Sequence, residues 1–257
     1  MKVVVLVKRV PDTASLFKIG SDGKSVDLSA VKYVMSPYDE HAVEEAIRLR
    51  EKIGAEVIVL SVGPPETKET IRSALAMGAD SGVLVTGADR LTSRGVAHVL
   101  AAALKLLAAD LVLAGKQAVD DDASQVPERV AELLGLPHAS VITRLELNGP
   151  IATVDREIEG GYYTYEVPLP ALFTTQKGIN TPRYPTLPNI MKAKKKEIRE
   201  IPISDLGIAA EKLAPGFEME SMSLPRQERL TRIIEGETSQ QKVHELVRAL
   251  REKEKVL

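Results

Sequence analysis

The strongest constraint on the fold is a regular alternation of short apolar runs with helix-period segments through the first half of the chain. Residues 3–7 (Val-Val-Val-Leu-Val), 56–62, 81–85 and 111–114 are short apolar runs bounded by polar or turn residues, and are predicted to be buried strands. Segments 39–53, 67–77 and 93–107 lie between them, and 123–134 follows the last. In that final segment Val126, Val130, Leu133 and Leu134 fall at i, i+4, i+7 and i+8, and Gly135 and Pro137 close it. Strands joined through helices need crossover connections. The expected class is therefore α/β, a doubly wound, mainly parallel sheet with helices on both faces.

From residue 139 the pattern changes. Strand-like runs 139–147, 151–158, 162–167 and 171–175 are separated by Asn148-Gly149-Pro150, Glu159-Gly160-Gly161 and Pro168-Leu169-Pro170. These are turn signals at hairpin spacing and predict an antiparallel extension of the sheet. A domain over residues 1–176 and a C-terminal arm over 177–257 follow from this reading. In the arm Pro182, Pro185 and Pro188 recur every third residue, which favours an extended path. The lysines at 192 and 194–196 come next. Thr238 and Gln241 form a predicted capping box for a terminal helix with Val243, Leu246, Val247 and Leu250 on one stripe. Such a stripe needs a surface, either a partner subunit or the chain's own domain.

Composition removes several function classes. A net charge of −2 offers no nucleic-acid footprint, and no apolar run approaches the roughly 18 residues of a membrane span. The apolar N-terminus is too short for a signal peptide and lacks a small-residue cleavage site. No cysteine is present, so disulfides, thiol catalysis and thiolate-held metals are excluded. His41, His98, His138 and His244 have no metal-ligand spacing. A cytoplasmic or organelle-matrix setting without direct membrane insertion is expected.

The best site candidate is the strand–turn–helix segment Gly115, Lys116, Gln117, Ala118, Val119, Asp120, Asp121, Asp122, Ala123, Ser124, Gln125 and Val126. The carboxyl end of a parallel strand facing a helix N-terminus gathers free N–H groups and suits an anion or nucleotide. The plainer alternative is a tight connection whose aspartates cap the helix. Ser61-Val62-Gly63 and Lys8-Arg9 follow other strands in the same way. No Walker loop, Gly-x-Gly-x-x-Gly fingerprint or catalytic triad is apparent, so catalysis is not indicated. Leu187, Pro188, Ile190 and Met191 form a second candidate, an apolar anchor in a proline-stiffened stretch, with local packing as the alternative.

Several landmarks resemble one family. They are Lys8-Arg9-Val10-Pro11-Asp12, Ser36-Pro37-Tyr38-Asp39-Glu40, Ala74 to Asp80, Gly115 to Asp122, Arg156 to Gly161, and Pro182-Arg183-Tyr184 through Lys196. In order and spacing they are similar to the beta subunit of electron-transfer flavoprotein, over essentially the whole chain. The resemblance implies an adenine-nucleotide alpha-hydrolase-like fold and a heterodimer with an alpha subunit. That heterodimer carries electrons from a flavin dehydrogenase, such as an acyl-CoA dehydrogenase of fatty acid beta-oxidation, to a quinone oxidoreductase or another acceptor. It implies FAD held mainly by the alpha subunit and AMP held here by Leu6, Ser36, Val62 and Gly115 to Val126. Thr13 and Tyr38 would approach the flavin, Glu157 would bias a mobile alpha domain, and Leu187 would plug into the dehydrogenase. In eukaryotic members the setting would be the mitochondrial matrix.

Two positions depart from that pattern. Val126 stands where threonine is frequent, so backbone or Ser124 donors would serve the phosphate, and Ser36 replaces a frequent asparagine. A bifurcating branch oxidises NADH with a second FAD in this subunit and often has glycine where Asp121 stands, which favours AMP here. A stand-alone adenine-nucleotide-binding stress-type protein is the other alternative, and the arm argues against it.

Overall fold

The computed structural model describes residues 1–88, 91–225 and 231–257. Its strands are β1 (Lys2–Leu6), β2 (Arg9–Pro11), β3 (Lys18–Ile19), β4 (Val26–Asp27), β5 (Tyr33–Met35), β6 (Glu56–Val62), β7 (Ser81–Thr86), β8 (Leu111–Gly115), β9 (His138–Asn148), β10 (Ile151–Ile158), β11 (Gly161–Pro168), β12 (Ala171–Thr175) and β13 (Ile198–Pro202). The helices are α1 (Pro37–Ile53), α2 (Thr67–Met77), α3 (Ser93–Leu107), α4 (Val126–Leu134), α5 (Leu187–Ala193), α6 (Ala210–Leu213) and α7 (Ser239–Ala249).

One nine-stranded sheet organises the molecule, in the order β11-β10-β9-β12-β8-β1-β6-β7-β13. The period of two in β1 sends Val3 and Val5 to one face and Val4 and Leu6 to the other. On the first face they meet Ala42, Ala46 and Ile47 of α1 and Ile71, Ala74 and Leu75 of α2. On the second they meet Leu100, Ala103 and Leu104 of α3 and Val130 and Ala131 of α4. Both faces are covered, which is why the central strands read as unbroken apolar runs. The doubly wound sheet is thus as expected. The chain reverses direction across the sheet between β1 and β8, and there a crevice opens at the carboxyl ends of the strands.

The expected antiparallel extension needs a correction. Strands β9, β10 and β11 do form an antiparallel meander. Strand β12 instead returns to the middle of the sheet and pairs parallel with both β8 and β9. All five of its residues are buried, so it takes a slot with neighbours on both sides. Accommodating it, β9 carries Val141 at φ 62°, whose N–H donates to Thr174 Oγ1 at 2.8 Å beside a register shift.

Part of the predicted arm also joins this body. The extended proline stretch ends at Thr186, whose hydroxyl caps α5, with Pro188 in the first turn where a missing N–H costs nothing. Beyond α5, β13 pairs parallel with β7 and forms one sheet edge. The capping box of α7 is as expected: Gln241 N–H donates to Thr238 Oγ1, and Thr238 N–H to Gln241 Oε1, both at 3.2 Å. No residue of α7 is buried, and Val243 and Leu246 are exposed. Among the described residues no helix is long and apolar enough to cross a membrane, and no His/Asp/Glu group could hold a metal ion.

Candidate functional site

The crevice is a fork between two parting chains. β1 and β8 pair as far as Leu6 and Ala114. Then Val7 N–H turns to Leu60 O of β6 (3.0 Å), while Lys116 N–H turns to Thr175 O of β12 (3.1 Å). Beyond Leu6 and Ala114 no ladder joins the two chains. Asp39, in the first turn of α1, fills the gap: Oδ2 accepts from Lys8 N–H at 2.7 Å and Oδ1 from Gly115 N–H at 3.1 Å. A side chain at position 115 would put its Cβ 2.4 Å from Asp39 Oδ1 and 2.7 Å from the Tyr38 backbone, so only glycine fits. Burial pushes the Asp39 carboxyl up to about 7, against the pull of the two amide donors and of Lys8.

Above the fork, the loop from Lys116 to Gln125 resolves the problem of three adjacent carboxylates. Lys8 Nζ lies 2.8 Å from Asp120 Oδ1 and 3.1 Å from Asp121 Oδ2. Burial disfavours the Lys8 ammonium, but these two aspartates outweigh it and raise its pKa. Asp122 Oδ1 accepts from Gln117 Nε2 at 2.6 Å, and Gln117 Oε1 accepts from Ser124 Oγ at 3.2 Å. Asp122 and Ser124 adopt left-handed φ values of 46° and 48°, which aspartate tolerates better than most residues. None of the aspartates caps the helix. α4 begins at Val126, three residues later than the periodicity predicts, after Gln125, which makes no side-chain cap. The Ser124, Gln125 and Val126 N–H groups therefore have no partner among the described residues and remain open to a ligand.

Leu6, Val62, Gly115, Gln117, Ala118, Asp121 and residues 123–126 all line this cleft. Lys116, Val119, Asp120 and Asp122 belong to the same loop but do not line the cleft. Ser36 is fully buried behind the fork, its N–H donating to Lys8 O and its hydroxyl without a partner among the described residues. The sequence reading missed Asp39 and the far wall, where Ser93, Val96 and Leu100 of α3 meet Leu91. The wall was available in principle, since the loop after β7 is the next strand-to-helix connection along the sheet.

A family model described as the electron transfer flavoprotein domain matches residues 25–206. The chain is 46% identical over 209 residues to electron transfer flavoprotein subunit beta of Bradyrhizobium diazoefficiens, covering 81% of this chain and 84% of that protein. It is 40% identical over 260 residues to the Bacillus subtilis subunit, with both chains covered fully, and 46% identical over 213 residues to the human subunit, covering 81% and 84%. The chain belongs to the electron transfer flavoprotein beta-subunit family.

The other residues that the family resemblance singled out do not line the cleft. Thr13 and Tyr38 flank opposite ends of the short β2–β5 ladder, Thr13 exposed and Tyr38 under the Lys116 ammonium at 5.0 Å from its ring centre. Glu157 is exposed on β10 opposite Tyr162 of β11, near the hairpin turn. Leu187 is 79% exposed and Met191 60%, and Ile190 is also exposed, so α5 presents an apolar tip with Pro188 beside it.

That tip rests on a firm base. Arg183 forks between Glu44 and Glu51 of α1, with Nε 2.9 Å from Glu44 Oε2 and Nη1 2.6 Å from Glu51 Oε1. Both partners hold its pKa above the ordinary arginine value, Glu51 most strongly. On the other side Arg72 of α2 donates to the carbonyls of Ala193 and Lys196, the latter at 2.7 Å.

Proposed function

We propose that the chain is the beta subunit of a heterodimeric electron carrier, passing electrons from a flavin dehydrogenase, such as an acyl-CoA dehydrogenase, to a quinone oxidoreductase or another acceptor. In this reading AMP occupies the cleft, and FAD, which supplies the redox chemistry when bound, is held mainly by the alpha subunit. The subunit itself catalyses no reaction and works in the cytoplasm or mitochondrial matrix.

The observation that carries the reading is the cleft at the strand switch point. Leu6, Val62, Val96 and Leu100 offer apolar walls for a flat base, and the open N–H groups at the start of α4 suit a monophosphate. Lys8 offsets two of the three aspartates that would otherwise repel it. Asp121 supports AMP over a second flavin, because its side chain stands in the cleft lining. The uncovered apolar residues of α5 and α7 support a subunit with partners over a stand-alone nucleotide-binding protein.

Acid release of nucleotides from the chain co-purified with its alpha subunit tests this directly. One FAD and one AMP per heterodimer is the expected yield. Two FAD and no AMP would overturn the assignment and favour a bifurcating carrier.

A further inference from the structure

We infer that Asp39 is the positioning residue of this cleft, its ionised carboxylate fixing the backbone at the end of β1 against that at the end of β8. The inference rests on the reading of the cleft as an adenine-nucleotide site. Its basis is the hydrogen-bond pattern at the fork. Val7 N–H goes to β6 and Lys116 N–H to β12, so the two chains part, and Asp39 accepts from both of them, from Lys8 N–H beyond β1 and from Gly115 N–H at the end of β8. Leu6, Lys8, Gly115 and Asp39 itself line the cleft, so the carboxylate sets the spacing of its two walls.

Both amides donate, so both carboxylate oxygens must accept. An asparagine amide would turn its NH2 toward one of them and lose that hydrogen bond, and a protonated acid turns one oxygen into a hydroxyl, a weaker acceptor whose own proton needs a partner. The fork then relaxes and the cleft loses its shape. The charged groups facing Asp39 are Lys8 from the end of β1, which favours the anion, and Asp120 from the loop before α4, which opposes it. From β12 the uncharged Thr175 hydroxyl lies within hydrogen-bond reach of Tyr38 O and Ala114 O. On its own helix Glu40 and His41 follow directly, and Glu40 is itself raised by burial. With the Asp39 carboxyl raised to about 7, the competent anion is partly lost just below neutrality.

The test uses the full chain with its alpha subunit, freed of bound nucleotide and titrated with adenosine and with AMP between about pH 6 and about pH 8. Adenosine carries no phosphate, so its pH dependence reports on the protein. Affinity for both ligands should fall about ten-fold toward the acid end, as the competent fraction does. Asp39→Asn should bind both weakly with no pH slope, and Gly115→Ala, which crowds the carboxylate without replacing it, should bind weakly but keep the slope. A slope that persists in Asp39→Asn assigns the titration to another group and overturns the inference. So does normal affinity in that variant. If the unmodified complex binds neither ligand at any pH, the nucleotide reading falls, and this inference with it.

Discussion

Replacing Arg183 by alanine probes how the apolar tip is held. The Glu44 side chain is only 4% exposed, and Arg183 gives it three hydrogen bonds: from the backbone N–H at 3.2 Å, Nε at 2.9 Å and Nη2 at 3.0 Å. Removing the guanidinium leaves that carboxylate with Arg48 Nε at 3.3 Å and the residual amide. Breaking a buried pair from one side costs roughly 3–5 kcal/mol. Arg183 is about one-third exposed and Arg48 remains, so the expected loss is about 2–3 kcal/mol, and the solvent-screened Glu51 contact adds little to it. In urea the unfolding midpoint should fall by roughly 1 M. Glu44→Gln in the Arg183→Ala background removes the stranded charge and should recover part of that loss. A single-variant change below about 0.5 kcal/mol, the range of an ordinary surface substitution, would refute the anchoring role.

Two other outcomes follow from the same geometry. On the proposed function, Leu187→Ala, which removes the most exposed apolar side chain of α5, should slow reduction of the heterodimer by a flavin dehydrogenase several-fold at unchanged flavin content; unaltered transfer rates would exclude it as a contact. Asp39 has a folded pKa raised from 3.8 to about 7, so between those values the native state holds a proton that the unfolded state has lost. Its contribution is thus full below about pH 4 and declines as pH rises through 7, by about 4 kcal/mol at most. Denaturation of Asp39→Asn across that window should show a flatter profile than the parent, and identical slopes would contradict the shift.

The central strands were legible because they are buried on both faces and need no alternation, and the capping box of α7 because it is local. The cleft loop was legible as strand, turn and helix. What escaped depends on distant partners. Asp39 sits 76 residues from Gly115, and its first-turn position in α1 reads simply as a helix-dipole carboxylate. The start of α4 was misplaced because the aspartates that would otherwise cap it are held elsewhere, Asp120 and Asp121 by Lys8, over 100 residues away in sequence, and Asp122 by Gln117. β12 reads locally as the next hairpin strand, and nothing within five buried residues states that its neighbours are β8 and β9. β13 was hidden by its charge: Arg199 and Glu200 suit an edge strand but not a core strand.

Strand order also bears on how the chain is made. Emerging from its N-terminus, β8 has β1 on one side and an open backbone edge on the other until residues 171–175 arrive, after the whole β9–β11 meander. β7 waits longer still, until residues 198–202 cover it. A nascent chain, or one truncated shortly after residue 177, therefore presents an apolar strand with unpaired N–H and C=O groups, the template on which chains associate edge to edge. The C-terminal segment thus has a task before any partner is met, which is to keep newly made molecules apart.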